Sequence, residues 1–143
     1  MKAFTRSNAP KTKTAAVVED DEDLSFIYST ILKNMGYRPV FVARNGEEII
    51  RWISDKAVSP AVIIMNYELP TINGLDAARE VLRLRPGTRI IIATAHDEIA
   101  EKAARLGLSF MPKPFSMKKL VREVMAVQPD FLVAAPPGPD PLR

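Results

Sequence analysis

Short runs of β-branched residues alternate along this chain with amphipathic stretches of helical period. Between Leu24 and Met35, apolar residues recur at spacings of three and four, which predicts a helix with one buried stripe. Gly36 follows and is placed to end that helix in a left-handed conformation. The run from Ala61 to Met65 is apolar throughout, which is typical of a central parallel strand covered by helices on both faces.

The same alternation continues to residue 127. Strands are predicted at 15–18, 39–43, 61–65, 89–93 and 109–111. Helices are predicted at 24–35, 46–54, 75–82, 99–106 and, with Ser116 as its cap, 116–127. Five strands alternating with five helices predict an α/β fold: a five-stranded parallel sheet with right-handed crossovers and helices on both faces.

The two ends of the chain differ from this pattern. Residues 1–13 contain basic residues and no acid, and residues 128–143 contain five prolines. We expect a disordered basic tail at 1–13, one folded domain at 14–127, and an extended tail or linker at 128–143. A chain of 143 residues suits one domain, and whether it is complete or a fragment stays open.

The net charge of +3 comes from the amino-terminal tail. Removing its four basic residues from the total of 20 leaves 16, against 17 acidic residues, so the folded part is nearly neutral. Nucleic-acid binding is therefore not expected. There is no cysteine, which excludes disulfides, thiol catalysis and thiolate metal sites. No apolar run is long enough to cross a membrane, and no signal peptide is present, so a cytoplasmic protein is expected.

Polar residues follow the predicted strands at their carboxyl ends, where reactive groups of an open α/β sheet collect. They are Glu19, Asp20 and Asp21 after the first strand, Asn66 after the third, Thr94 at the end of the fourth and Lys113 after the fifth. Acids, a hydroxyl and a lysine at one edge are typical of a site for magnesium and a phosphoryl group, because magnesium prefers oxygen ligands and lysine binds phosphate as a point charge.

Four segments resemble the signatures of response-regulator receiver domains, in order and in spacing. They are VVEDD at 17–21, IIMNYELPTING at 63–74, ATA at 93–95 and KPF at 113–115. The resemblance covers roughly residues 14–127, and four segments in register are a specific signal. It implies a flavodoxin-like receiver fold with strand order 2-1-3-4-5.

The resemblance also implies roles for individual residues. Magnesium ligands map onto Glu19 and Asp20, with Asp21 beside them, and onto the main-chain carbonyl of Glu68. The signalling hydroxyl maps onto Thr94, the site lysine onto Lys113 and the aromatic switch position onto Phe110. The bond between Lys113 and Pro114 resembles the cis peptide of the family, and Lys113 is expected to pair with Asp20 or with the amide of Asn66.

The chain departs from the family at Asn66, where receiver domains carry the aspartate that accepts the phosphoryl group. An amide is neutral and a poor nucleophile, so phosphorylation of residue 66 is chemically disfavoured. Magnesium also loses an anionic ligand there, and any binding should be weak. The asparagine is natural, engineered, or partly converted to aspartate by deamidation. The bulky Tyr67 that follows disfavours deamidation.

Two functions stay open. The first is a signalling domain that is not an enzyme and binds a histidine kinase or another signalling protein through its fourth helix, fifth strand and fifth helix, roughly residues 98–127. The alternative is a working phospho-receiver that takes a phosphoryl group from a histidine kinase. It requires that Asn66 be engineered, deamidated, or bypassed by another acceptor such as Asp20 or Asp21. A homodimer is open in either case. A nucleotide-binding protein is disfavoured because acids, and no glycine-rich loop, follow the first strand.

Overall fold

The computed structural model describes residues 13–127. Five parallel strands form one sheet in the order β2-β1-β3-β4-β5, which confirms the predicted topology. The strands are β1 (Lys13–Val18), β2 (Tyr37–Ala43), β3 (Val62–Asn66), β4 (Arg89–Thr94) and β5 (Ser109–Pro112). The expectations for residues 1–12 and 128–143 lie outside the described residues.

Five helices connect and follow the strands. They are α1 (Glu22–Asn34), α2 (Gly46–Ser54), α3 (Gly74–Leu84), α4 (Ile99–Arg105) and α5 (Met117–Val127). The side chains of Asp21, Asn45 and Asn73 cap α1, α2 and α3 by accepting the main-chain N–H three residues later. The hydroxyl of Ser116 does the same for α5, as the sequence predicts. Gly36 has φ 102°, which confirms the left-handed end of α1.

Strand boundaries differ from the prediction by one or two residues. Lys13, which the sequence assigned to the tail, is the first residue of β1 and pairs with Tyr37. β2 therefore begins at Tyr37 and not at Pro39. β3 extends to Asn66, so the key polar side chain belongs to the strand itself and is held by the sheet.

The core has two halves, one on each face of the sheet. Ile63 and Met65 of β3 face the half that is closed by α2, α3 and α4, whereas Val62 and Ile64 face the half closed by α1 and α5. Both faces of β3 are thus buried, as its continuous apolar sequence predicts. Burying each such side chain contributes roughly 1.5 to 3 kcal/mol, so β3 stabilises both halves of the core, as do β1 and β4.

The predicted stripe of α1 is only partly buried. Tyr28 and Leu32 are in the core, but Leu24, Ile27 and Ile31 pack against it while keeping part of their surface exposed. Ser25 and Ser29 take up part of the buried face of the helix. The apolar stripe of α1 is therefore wider than its fully buried part. Its partly exposed outer edge, formed by Leu24, Ile27 and Ile31, is free to line a groove on the surface.

Candidate functional site

The carboxyl ends of four neighbouring strands bring the predicted polar residues together. In the sheet register, Val18 of β1 lies beside Met65, Asn66 of β3 lies beside Ala93, and Thr94 of β4 lies beside Pro112. Glu19, Asn66, Thr94 and Lys113 consequently meet at one edge although up to 94 positions separate them in the sequence. Only the parallel topology produces this cluster.

Asn66 is at the centre of the cluster and is 7% exposed. Its Nδ2 donates to the main-chain oxygen of Glu68 at 2.8 Å and, at 3.4 Å, to Oε2 of Glu19. Its Oδ1 accepts from Nζ of Lys113 at 3.0 Å. The opposite orientation of the amide would set its oxygen against two oxygens and its NH₂ against an ammonium group. The network therefore defines which way the amide points.

Glu19 supplies a buried carboxylate that is 3% exposed. Oε2 accepts the main-chain N–H of Asp21 at 3.0 Å, and Oε1 has no hydrogen-bond partner among residues 13–127. Burial raises the pKa of Glu19, and the Asp21 N–H and the charge of Lys113 oppose that rise. Oε1 lies 3.9 Å from Nζ of Lys113. Lys113 thus pairs with the amide of Asn66 and sits near Glu19; among the described contacts, none joins it to Asp20.

The residues assigned to magnesium differ in their exposure and in the groups that they already contact. Within residues 13–127, no group of three acidic or histidine side chains could hold a metal ion. Asp20 is exposed, and the carboxylate of Asp21 is used as the cap of α1. The N–H groups of Asn66 point at Glu19 and at the carbonyl of Glu68, which are two of the expected ligands. Two of the oxygens that the resemblance assigns to the metal therefore accept hydrogen bonds from this amide.

A second network joins the side chain of Glu68 to the end of β4. The hydroxyl of Thr94, which is 0% exposed, donates to Oε2 of Glu68 at 2.8 Å. Nε2 of His96 lies 2.8 Å from the same oxygen, and the main-chain N–H of His96 donates to Oγ1 of Thr94 at 3.1 Å. The sequence indicated Glu68 for its main-chain carbonyl. The role of its carboxylate was missed because an acid in a loop has no periodicity that points to a partner.

Two further predictions concern β5 and the loop after it. Phe110 is half-buried and packs against the core half formed with α2, α3 and α4, so it is a core residue with an exposed edge. The peptide bond between Lys113 and Pro114 is cis, as the sequence predicts. The bond between Arg38 and Pro39 is also cis, which the sequence analysis did not anticipate.

An apolar groove of about 510 Å³ opens beside Lys113. One wall is the outer edge of the α1 stripe, and the other is the segment from Lys113 to Leu120. Tyr28 and Phe115 stack across it with ring centroids 5.9 Å apart, and Met117 at its mouth is 59% exposed. The signal for this groove in the sequence was the apolar run of Pro114, Phe115 and Met117 directly after the site lysine.

The sequence of residues 15–125 matches the family model of the response regulator receiver domain. The chain belongs to this family. The receiver domain is 27% identical over 118 residues to the chemotaxis protein CheY of Thermotoga maritima, covering 80% of this chain and 97% of CheY. It is 32% identical over 114 residues to the DNA-binding transcriptional regulator NtrC of Azospirillum brasilense, covering 78% of this chain and only 23% of NtrC.

A solved structure of another receiver domain has the same fold. It is the receiver domain of a sensor histidine kinase from Pseudomonas aeruginosa PAO1, with a magnesium ion coordinated in its active site cleft. The two are 26% identical with a TM-score of 0.68, over 81% of this chain and 97% of the other. Receiver domains of two-component systems are in general non-enzymatic signalling domains that interact with histidine kinases and other signalling proteins. In residues 13–127, no helix is both long and apolar enough to span a membrane.

Proposed function

We propose that this receiver domain is a protein-binding module of two-component signalling whose state does not depend on phosphorylation of residue 66. The observation that carries the proposal is the buried amide of Asn66, which hydrogen-bonds to Glu68, Glu19 and Lys113. An acyl phosphate forms by attack of a carboxylate oxygen on phosphorus. Here that position holds a neutral amide whose oxygen already accepts a hydrogen bond from Lys113.

The other acids of the site support the same proposal. Glu19 is buried, and one of its oxygens accepts hydrogen bonds from Asp21 and Asn66. Asp21 caps α1. Asp20 is exposed and has no described contact with Lys113, whereas Asn66 has one. Oε1 of Glu19 lies 3.9 Å from Nζ of Lys113 but is buried, and neither Asp20 nor Asp21 has a described contact with Lys113. Magnesium binding, by the same donor geometry, is proposed to be weak.

The partner surface is proposed to be the face formed by α4, β5 and α5. Lys118 and Arg122 are exposed on α5, and Met125 adds an apolar patch that is 46% exposed. This combination suits a histidine kinase or another signalling protein with an acidic and apolar surface. Titration of labelled receiver domain with such a protein should broaden NMR signals of residues 98–127. Broadening confined to α2 and α3 would refute the assignment of this face.

The decisive experiment is intact mass with peptide mapping, before and after incubation with magnesium and acetyl phosphate. We expect no added phosphoryl group on the chain. The matched control is Asn66→Asp, which restores a carboxylate beside Lys113 and should gain a hydroxylamine-labile phosphoryl group under the same conditions.

Two results would contradict the proposal. A phosphoryl group mapped to residue 66, together with a mass that shows deamidation, would mean that aspartate forms there and that the domain is a working phospho-receiver. A labile phosphoryl group on Asp20 or Asp21 would mean that a neighbouring carboxylate replaces residue 66 as acceptor.

A further inference from the structure

One carboxylate oxygen holds the end of β4 and the loop that follows it. Oε2 of Glu68 accepts the hydroxyl of Thr94 at 2.8 Å and lies 2.8 Å from Nε2 of His96. The N–H of His96 in turn donates to the oxygen of Thr94 at 3.1 Å. Glu68, Thr94 and His96 thus contact one another in pairs, which joins the loop after β3 to the end of β4 and the residues that follow it.

Burial makes the contact with Thr94 significant. Thr94 is fully buried, and a buried hydroxyl requires an acceptor. The acceptor comes from a side chain 26 residues earlier in the sequence, on the loop after β3. Without Glu68, the hydroxyl would have to turn to another oxygen or remain unsatisfied, so the rotamer of Thr94 depends on this carboxylate.

The same contacts reach the start of α4. α4 has no side-chain cap, and its first N–H, that of Ile99, donates to the carbonyl of His96 at 3.1 Å. The position of His96 therefore sets the position of the first turn of α4. A change at Glu68 would be transmitted through Thr94 and His96 to this helix.

We propose that Glu68 is a positioning residue: its carboxylate is an intramolecular acceptor that holds Thr94, and with it residues 95–98, in one arrangement. With an amide at residue 66, we expect no acyl phosphate to pull on Thr94 and Lys113, so the domain should hold one conformation or be switched by a partner. In this chain, Thr94 is bound by Glu68 and Lys113 by Asn66, so both groups already have acceptors. The consequence for partner binding rests on the proposed function, whereas the positioning of Thr94 does not.

The test is NMR spectroscopy of the labelled full chain with no phosphoryl donor and no metal. Three-bond couplings report the χ1 rotamer of Thr94, and amide hydrogen exchange reports the N–H groups of His96 and Ile99. In Glu68→Ala we expect rotamer averaging at Thr94 and exchange at His96 that is faster by about tenfold, which corresponds to about 1.4 kcal/mol. Glu68→Gln keeps an acceptor oxygen and should retain the single rotamer.

The matched control is Glu101→Ala. Glu101 is an exposed glutamate on α4 that pairs with Arg105 and makes no described contact with Thr94 or His96. It should change neither readout. The side chain of Glu68 is 45% exposed, so its replacement should not prevent folding, which thermal melting verifies.

A single Thr94 rotamer and unchanged exchange at His96 in Glu68→Ala would overturn the inference. So would equal effects of Glu68→Ala and Glu68→Gln, since the charge of residue 68 and not its acceptor oxygen would then be responsible. Because no phosphoryl donor is present, these outcomes are separate from the phosphorylation experiment, and either proposal can fail while the other holds.

Discussion

At residue 66, a single change from carboxylate to amide alters the balance of charge in the site. Nδ2 of Asn66 donates to Oε2 of Glu19 at 3.4 Å, and a carboxylate there would face a buried carboxylate instead. Such a pair costs about 1 to 4 kcal/mol at effective dielectrics between water and a protein surface. A stronger contact with Lys113 offsets part of that cost.

We therefore predict that Asn66→Asp lowers the melting temperature of the metal-free domain by about 4 °C or more. The matched control is Asn45→Asp, because Asn45 caps α2 and aspartate is an equally good cap. Thermal unfolding by circular dichroism in the presence of a chelator measures both variants. An unchanged or higher melting temperature in Asn66→Asp would show that repulsion between carboxylates at residues 66 and 19 does not destabilise the domain.

Added magnesium should restore the melting temperature that the Asn66→Asp variant loses, and the effect should be largely specific to that variant. A ligand that binds the folded state stabilises it by RT ln(1 + [L]/Kd). In Asn66→Asp, the amide N–H groups that face Glu19 and Glu68 are gone and an anionic ligand is gained. The melting temperature of Asn66→Asp should rise with added magnesium chloride, while that of the chain with Asn66 should rise much less at matched ionic strength. An equal rise in both would show that Asn66 does not hinder the metal.

The buried phenol of Tyr28 should make the stability of the domain depend on pH in the alkaline range. Burial, and then the charges of Glu19 and Asp21, raise the pKa of Tyr28 to about 12, above its value of about 10 in an unfolded chain. Below pH 10 the phenol is protonated in both states. As pH rises from 10 to 12 the unfolded state loses the proton first, so stability falls across this range.

Tyr28→Phe should remove that contribution while keeping the ring that stacks on Phe115. Urea unfolding between pH 10 and 12 should show a smaller loss of stability in the variant, by about 2 kcal/mol at the upper end. Tyr37→Phe should behave similarly, since burial also raises the pKa of Tyr37 to about 12. Identical pH profiles for wild type and both variants would contradict these pKa assignments.

At the scale of elements, the close approach of α3 to β3 depends on Gly74. A Cβ at this position would lie 2.4 Å from the main-chain oxygen of Asn66 and 2.9 Å from Cα of Tyr67. Both are backbone atoms and cannot move without disturbing the strand that carries Asn66. The N–H of Gly74 also donates to the carbonyl of Tyr67 at 2.8 Å, which ties α3 to the site.

Gly74→Ala should therefore destabilise the domain by about 1 to 3 kcal/mol or more, as overpacking does. Gly87→Ala is the matched control, because nothing lies within 4 Å of a Cβ built there. It should be neutral or stabilising by up to about 1 kcal/mol. Urea unfolding measures both, and equal stability of the two variants would refute the role of close packing at Gly74.

Most of the elements could be predicted from the sequence because each has a local signal. Glycines and caps marked the ends of α1 and α5, and periodicity marked their interiors. The helical period of α2 predicts that Ile49, Ile50 and Ile53 all face inward. Ile49 and Ile53 are buried, while Ile50 is only partly buried and packs at the margin of the core. Periodicity gives the centre of a buried face, and how far burial extends from it depends on what the neighbouring elements cover.

At the scale of the whole molecule, the two halves of the core share one sheet. Ile63 and Ile64 are consecutive in β3 and are 0% and 1% exposed, yet they belong to opposite halves. Successive side chains of a strand point to opposite faces, so the strand stabilises both layers at once.

We predict that Ile63→Ala and Ile64→Ala each lower the free energy of unfolding by about 2 to 5 kcal/mol. Unfolding in urea should remain one transition, seen alike by circular dichroism and by the fluorescence of Trp52, which packs against the half that contains Ile63. If Ile64→Ala lost helical signal before the Trp52 signal changed, the layer of α1 and α5 would unfold separately, and the coupling through β3 would be refuted.

The sequence by itself determined the alternation of strands and helices, the polar residues at the strand ends, and the presence of an amide at residue 66. These follow from local periodicity and from the spacing of four motifs. Both can be read from the order of the residues without a three-dimensional structure. Tertiary structure decided that Lys113 binds Asn66, that Glu68 holds Thr94, and that the outer edge of α1 lines a groove. Each of these contacts joins side chains far apart in the chain. Their geometry exists only once the sheet has brought the strand ends together.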